Sequence, residues 1–212
     1  MADNNQDKKN DLAARRTDEI LAAARKIFAE HGYARTTIDQ IADYLNVGKG
    51  TVYRYFDDKK SLFLAVFANG MAQVRDTMRA KIDPVELPQD KINTAVTTFC
   101  DFFDNNQDLI EIYMQVRSEF KDDYKRISLD LYSDYIVRIQ DNLRKGVEIG
   151  IFHELDVERT AEAYSALLQG LLQIFYLREF GPQTDVAPSR LTDRAQAVTS
   201  LLLKGLLKRD ND

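Results

Sequence analysis

The sequence predicts an all-α protein of about nine helices, with a three-helix head near the N-terminus and a larger helical body after it. Apolar residues recur at intervals of three and four along almost the whole chain, which is the period of a helix. No alternating apolar and polar run of the strand type stands out. The four prolines form two clusters, at 84 and 88 and at 182 and 188, and both are typical of connections between helices.

Composition excludes several classes of protein. The longest stretch without a charged residue, Ala163 to Leu177, has 15 residues, whereas a membrane-spanning helix needs about 20. The first residues lack the apolar core of a signal peptide. One cysteine and two distant histidines do not form a disulfide framework or a metal-ligand set, and no nucleophile–base set or cofactor motif is present. We therefore expect a cytoplasmic protein that is not an enzyme and uses neither metal nor cofactor.

Charge is distributed unevenly along the chain. Residues 1–60 carry 11 Lys and Arg against 10 Asp and Glu, whereas residues 61–212 carry 18 against 24. The net charge of −5 argues against indiscriminate binding to nucleic acid. It is compatible with one small, organised basic face in the first 60 residues.

Local capping signals predict the helices of the head. Residues 1–14 are polar and lack periodicity, which indicates a disordered tail. Thr17 is expected to cap the first helix, and Gly32 to end it. Thr37 and Gln40 have the spacing of a capping box at the start of the second helix.

A tight turn and a short helix complete the head. Residues 46–48 interrupt the second helix, a third helix is expected near residues 49–55, and Asp57 and Asp58 are expected to cap a long fourth helix. The head then covers residues 15–61 and the body residues 62–212. Further helices of the body are expected near 89–104, 107–119, 122–148, 156–179 and 189–208.

The third helix has two distinct faces. At about 100° per residue, Val52 and Phe56 share one edge, which we expect to be buried. The other residues offer no acidic or aliphatic side chain: Lys49, Gly50, Thr51, Tyr53, Arg54 and Tyr55. Arginine can bind two acceptors of guanine in the major groove, and Lys, Thr and Tyr can bind phosphates. The second and third helices therefore predict a DNA-binding helix-turn-helix.

Two further positions fit this interpretation. Gly50 removes a side chain where the backbone has to approach a duplex closely. Lys59 places a cation at the N-terminus of the fourth helix, where it interacts unfavourably with the helix dipole. A phosphate bound there would offset that effect.

Residues 17–67 resemble the N-terminal DNA-binding domain of the TetR family of bacterial transcriptional regulators. The motifs F-x-x-x-G-Y, T-T-I-x-x-I-A-x-x-L-x-V, G-T-V-Y-x-Y-F and K-x-x-L-F carry the resemblance over about fifty residues. By position, it implies DNA contacts at Thr37, Lys49, Gly50, Thr51, Tyr53, Arg54, Tyr55 and Lys59. The chain departs from the family where Gly48 replaces a common serine and Lys60 replaces a common acid.

The resemblance also implies a homodimer, a C-terminal domain that binds an inducer, and repression of target genes. We therefore expect a repressor that binds a palindromic operator as a dimer and is released by a small hydrophobic or aromatic ligand. An activator is the alternative to a repressor. The alternative from another class is a ligand-independent DNA-binding adaptor that docks a protein partner through its helical body.

Two apolar stripes in the body suggest the dimer interface. The stripe in helix 156–179 contains Tyr164, Leu167, Leu168, Leu171, Leu172 and Phe175. The stripe in helix 189–208 contains Leu191, Ala195, Val198, Leu202 and Leu206. Packing within one chain is the alternative interpretation of both stripes.

Aromatic residues and methionine concentrate in the middle helices of the body. A largely apolar ligand pocket is expected to be lined by Phe103, Tyr113, Met114, Tyr132, Tyr135 and Phe175. Tyrosine hydroxyls would orient the polar end of such a ligand, and tyrosine faces would also attract a cation. For each residue taken singly, an ordinary place in the core is an equally good interpretation.

Overall fold

A computed structural model describes residues 3–179 and 190–207, and the side chains of residues 11–129, 133–177 and 190–207. This part of the chain is all-α and contains no β-strand, as the sequence predicts. Its nine helices are α1 (Asp3–Arg35), α2 (Ile38–Tyr44), α3 (Lys49–Tyr53), α4 (Lys59–Ile82), α5 (Pro88–Asp104), α6 (Gln107–Glu119), α7 (Lys121–Glu148), α8 (Val157–Glu179) and α9 (Thr192–Leu206). None of the described helices is long and apolar enough to span a membrane.

Helix α1 begins earlier than expected. The expected tail at residues 1–14 is helical from Asp3, and residues 1 and 2 lie outside the described part of the chain. The cap expected at Thr17 is wrong, because its hydroxyl donates to the Ala13 carbonyl 3.0 Å away, as in a helix interior. Alanine and arginine are strong helix formers, and an ion pair of 3.1 Å joins Arg15 to Asp11 one turn earlier.

Gly32 interrupts α1 three residues before its end at Arg35. Its φ of 78° and ψ of 158° are not helical, and a side chain there would be strained. The buried Thr36 then donates its hydroxyl to the Gly32 carbonyl at 2.9 Å. The regular helix therefore stops at this glycine, as expected, and a short segment to Arg35 follows before α2.

The chain forms two compact units. One comprises Met1–Gly70 with Glu111–Tyr124, and the other Met71–Ile110 with Lys125–Asp212. The first unit is therefore larger than the head expected at residues 15–61. It continues to Gly70 in α4 and includes a second segment, Glu111–Tyr124, from α6 and α7. Aromatic packing explains the addition, because the Phe120 ring centroid lies 4.8 Å from Tyr33 and 5.9 Å from Phe63.

The second unit is organised by packing between α5 and α9. The fully buried Asp104 carboxylate of α5 accepts the Leu191 and Thr192 amides at 2.7 and 2.9 Å, and the Thr192 hydroxyl at 2.8 Å. It thus caps the start of α9 from another helix.

Cys100 is fully buried, and burial raises the pKa of its thiol to about 11. Cys100 thus acts as a small hydrophobic residue of the core, since burial disfavours the reactive thiolate.

Candidate nucleic-acid interface

Helix α2 begins with the expected capping box. The Thr37 hydroxyl accepts the Gln40 amide at 3.3 Å, and Oε1 of Gln40 accepts the Thr37 amide at 2.8 Å. Ile38 and Ile41 on the same helix are buried. Local interactions therefore fix both the start of α2 and the face of α2 that packs inward. Thr37 itself remains exposed at the start of the helix.

The turn between α2 and α3 is formed by the predicted break. Asn46 adopts a φ of 54°, a left-handed conformation that asparagine tolerates better than most residues. The Val47 amide donates to the Ala42 carbonyl at 3.0 Å, and Gly48 caps α3 without a side-chain hydrogen bond. Four residues therefore end α2 at Tyr44 and start α3 at Lys49.

Helix α3 has the two predicted faces. Val52 is fully buried and Phe56 is half-buried. Lys49, Tyr53 and Arg54 are exposed, whereas Thr51 and Tyr55 are half-buried. The residues at the exposed surface are therefore basic, phenolic or hydroxylic.

The two cations of this surface, Lys49 and Arg54, have only weak interactions with other residues of the chain. Nζ of Lys49 lies 3.4 Å from the Asp39 carboxylate, and each side chain is 64% exposed. Such surface ion pairs contribute about 0–1 kcal/mol, so a phosphate can compete for the lysine. The Arg54 guanidinium lies 5.8 Å from the Tyr55 ring centroid, which leaves its donors free to bind a base edge.

Gly50 is not required by the protein's own packing. A Cβ atom built on it would meet no other atom within 4 Å, and its φ is not positive. Alanine would fit there and is the better helix former by about 1 kcal/mol. The close approach of another molecule to this surface would explain why the position is occupied by glycine.

Lys59 lies differently from what the sequence suggests. Its ammonium donates to the Tyr33 and Thr36 carbonyls, both at 2.9 Å, and to the Ala34 carbonyl at 3.4 Å. It also lies 4.4 Å from the Tyr33 ring centroid. The expected phosphate contact is not supported, because these carbonyls use all three donors. The side chain reaches back to the end of α1, where unpaired carbonyls favour a cation.

Gln115 of α6 is a residue of the first unit that the sequence analysis did not identify. Its Oε1 accepts the Tyr33 amide at 2.8 Å, and its Nε2 donates to Glu111 at 2.9 Å. It thus holds the chain just after the Gly32 break. No local motif could have revealed this contact, because the partners are 82 residues apart.

The residues expected to line the ligand pocket are distributed over both units. In the second unit, Phe103 and Phe175 are each 2% exposed, and Tyr135 is half-buried. In the first unit, Tyr113 and Met114 are buried. The side chain of the sixth residue, Tyr132, lies outside the described set.

These side chains pack against other aromatic residues. The Phe103 ring centroid lies 4.9 Å from that of Phe99 and 5.3 Å from that of Phe102. The Tyr113 hydroxyl lies 2.9 Å from that of Tyr124, and burial raises the pKa of Tyr113. Each described contact is thus a core contact, and their part in a common pocket stays a prediction. No group of three potential metal ligands occurs among the described residues.

The stripes expected at a dimer interface face mostly inward. On α8, Tyr164, Leu168, Leu171, Leu172 and Phe175 are buried and Leu167 is half-buried. On α9, Leu191, Ala195, Val198 and Leu206 are buried and Leu202 is half-buried. For these residues the alternative of packing within one chain is confirmed, with Leu167 and Leu202 only partly covered. The exposed large apolar residues of the two helices are Ile174, Leu177 and Leu201.

The turn between α2 and α3, and the exposed face of α3 with no acidic side chain, define a helix-turn-helix DNA-binding protein. Residues 20–66 match the family described as bacterial regulatory proteins, tetR family. The chain therefore carries the DNA-binding domain of the TetR family and is a DNA-binding regulator of transcription.

Three similar proteins illustrate the relationship. The biofilm operon icaADBC HTH-type negative transcriptional regulator IcaR of Staphylococcus aureus (strain Newman) is 26% identical over 195 residues, which cover 88% of this chain and 98% of that protein. The structure of the regulator FadR from Bacillus subtilis, in complex with stearoyl-CoA, has a TM-score of 0.75 at 20% identity, covering 88% and 97%. A regulator from Saccharomonospora viridis in complex with choline has a TM-score of 0.76 at 19% identity, covering 92% and 100%. The two structures show that the fold is shared.

Proposed function

We propose that the protein is a repressor that binds a two-fold symmetric operator as a homodimer and leaves it when a small ligand binds. The exposed face of α3 is the observation that carries the DNA-binding part of this proposal. Repression is supported by the similarity over most of the chain to IcaR, a negative regulator. The fold is shared with proteins that bind stearoyl-CoA or choline, which supports a ligand-controlled regulator.

On this proposal Arg54 reads a base and the residues around it bind the DNA backbone. Arg54 is exposed at the end of α3, and a guanidinium can bind both major-groove acceptors of a guanine. Gly50 admits the phosphate backbone close to α3. The phosphate contacts are assigned to Thr37, Lys49, Thr51, Tyr53 and Tyr55.

The dimer is proposed to form through a surface different from the stripes that the sequence suggests. On α8, residues spaced by three and four form a line of small and apolar side chains that are exposed or half-buried: Ala163, Ala166, Gly170, Ile174 and Leu177. On α9, the matching line consists of Ala197, Leu201 and Gly205.

These two lines suit contact with a second copy of the same helices. Ile174, Leu177 and Leu201 are 48%, 58% and 66% exposed, so covering them removes apolar surface from water. A Cβ built on Gly170 would meet nothing within 4 Å, which leaves room for close helix packing. A two-fold dimer places its two recognition helices in successive major grooves about 34 Å apart.

The ligand is proposed to be a largely apolar molecule, neutral or cationic, that enters the aromatic-rich body. It acts by binding the DNA-free conformation more tightly than the DNA-bound one. A hundredfold loss of operator affinity needs a difference of about 2.7 kcal/mol. The test adds three sets of compounds to the operator-bound protein: fatty acyl compounds, lipophilic cations and polar anions. If no compound of any set releases the operator, the result favours the alternative function, an adaptor that docks a protein partner.

The DNA assignment is tested on an operator selected with the purified protein from a randomised duplex library. Arg54→Ala should weaken operator binding by about 5- to 150-fold per half-site, equivalent to about 1–3 kcal/mol, and relax the preference at one base pair. Gly50→Ala should also weaken operator binding. The melting temperature of this variant should be unchanged or raised, because the alanine side chain would meet no other atom of the protein.

The matched control is Arg144→Ala, which removes an exposed arginine from α7. It should leave the binding isotherm, followed by fluorescence anisotropy at fixed salt, unchanged. Operator affinity equal to that of the parent in both head variants would refute the assignment of α3 as the reading helix.

A further inference from the structure

His153 joins the connection between α7 and α8 to the end of α9, within the second unit. Its backbone amide donates to the Leu206 carbonyl at 3.1 Å. Its ring atom Nε2 lies 2.6 Å from the Gly205 carbonyl oxygen. The last carbonyls of a helix have no partner within that helix, so His153 alone caps two of them on α9.

The other ring nitrogen of His153 also contacts a carbonyl. Its Nδ1 atom lies 2.7 Å from the carbonyl oxygen of Glu154. A carbonyl oxygen accepts hydrogen bonds and cannot donate them, so each of the two contacts requires a hydrogen on the ring nitrogen. Neutral imidazole has one such hydrogen, whereas the ionised ring has two. The geometry therefore fits the ionised ring, because a neutral ring would direct one nitrogen lone pair at a carbonyl oxygen.

Phe152 anchors the backbone beside this ring. Its side chain is 2% exposed, and its amide donates to the Gly146 carbonyl at 2.9 Å. A Cβ atom built on Gly146 would collide with the Phe152 ring, so the glycine makes room for it. Phe152 also forms an isolated antiparallel bridge with Leu207. The backbone of His153 is therefore placed beside α9 by contacts that do not depend on the charge of its ring.

The electrostatic surroundings of the ring also favour the ionised form. The end of a helix carries a partial negative charge, which attracts a cation. The described charged side chains in the last turn of α7, in the connection and in the last turn of α9 have both signs and are all exposed: Lys145, Glu148, Glu154, Asp156 and Lys204. Water weakens the effect of such exposed charges, whereas the two carbonyls touch the ring directly.

We propose that His153 is a proton-dependent clasp on the end of α9. The ionised ring joins Gly205 to Glu154 through two hydrogen bonds, and loss of a proton removes one of them and loosens the end of the helix. The folded chain then binds the proton more tightly than the unfolded chain, in which histidine titrates near pH 6.5. The stabilisation is complete below about pH 6.5 and is lost as the pH rises through the higher value of the folded state.

The protonation state of the ring tests this proposal directly. Nuclear magnetic resonance of the full-length protein, labelled with nitrogen-15 in its two histidines, follows both rings against pH, and His31→Gln assigns the signals. His31 is exposed on α1 and serves as the reference. The titration midpoint of His153 should lie about one pH unit above that of His31. A midpoint at or below that of His31 would overturn the proposal.

The pH dependence of stability measures the clasp itself. His153→Gln keeps a side-chain donor and cannot be ionised. Between about pH 5.5 and about pH 8.5, the folding equilibrium constant of the parent should fall about tenfold more than that of His153→Gln, which is the effect of a shift of one pH unit. Urea unfolding followed by circular dichroism gives both constants, and the effects of groups that the two proteins share cancel.

The matched control is His31→Gln, which replaces the exposed histidine of α1 and should keep the pH dependence of the parent. An equal pH dependence in the parent and in His153→Gln would contradict the clasp.

Discussion

The Tyr33 backbone amide donates a hydrogen bond of 2.8 Å to Oε1 of Gln115. Tyr33 directly follows Gly32, whose non-helical backbone ends the regular part of α1. Gln115 lies on the segment of α6 that belongs to the same compact unit as the head. A body helix therefore supplies the partner that the end of α1 needs, and this ties the segment of α6 to the DNA-binding helices.

Gln115→Leu should lower the free energy of unfolding by about 1–3 kcal/mol, because the Tyr33 amide loses its partner while the side chain keeps a similar size. Urea unfolding followed by circular dichroism measures the change. Ser118→Ala is the control, since it alters an exposed residue of the same helix and should shift stability by less than about 0.5 kcal/mol. Equal stability of Gln115→Leu and the parent would show that the hydrogen bond contributes nothing.

Lys59→Met should act on stability more than on the salt dependence of DNA binding. The variant removes the three donors at the Tyr33, Ala34 and Thr36 carbonyls, and the loss is expected to be about 1–3 kcal/mol of unfolding free energy. The slope of log affinity against log salt should stay that of the parent. If instead the slope falls by about one unit per half-site at unchanged stability, Lys59 binds a phosphate after all.

Leu201→Arg should produce a folded monomer. The side chain is 66% exposed in the single chain, so arginine is tolerated there, but it would be buried without a partner in the proposed dimer. Sedimentation velocity gives the oligomeric state and circular dichroism the helix content. Leu129→Arg, at a leucine of α7 that is 64% exposed, is the matched control and should remain a dimer. A dimeric Leu201→Arg would place the interface elsewhere.

Acid should weaken the start of α4 through Asp58. The Asp58 carboxylate accepts the Ser61 amide at 2.6 Å, and this hydrogen bond holds its pKa below 3.8. The bonded form is the ionised one, so its contribution is present above pH 3.8 and is lost as the pH falls through the lower pKa of the folded state. Asp58→Asn keeps an acceptor and removes the titration, and it should flatten the fall in melting temperature with acid. A parallel fall in both proteins would show that Asp58 does not contribute.

The sequence alone determined the helix-turn-helix. The Thr37–Gln40 capping box, the break after Leu45 and the inward edge of Val52 depend on residues within one or two turns of each other. Such local preferences act on any part of the chain independently of how the rest packs. The all-α class follows for the same reason, because the apolar period is visible throughout the sequence.

Tertiary structure decided which way particular side chains face. Lys59 bonds to the end of α1, Gln115 holds Tyr33, and Asp104 caps α9 from 87 residues away. The apolar pattern of α8 is wide enough to fit both the core and a partner, and only packing selected the face with Leu171 as core and left Leu177 exposed. Each of these outcomes depends on residues far apart in the chain. The local sequence around one partner does not show which distant residue it will contact, so the energy of such a contact cannot be predicted from periodicity or capping motifs.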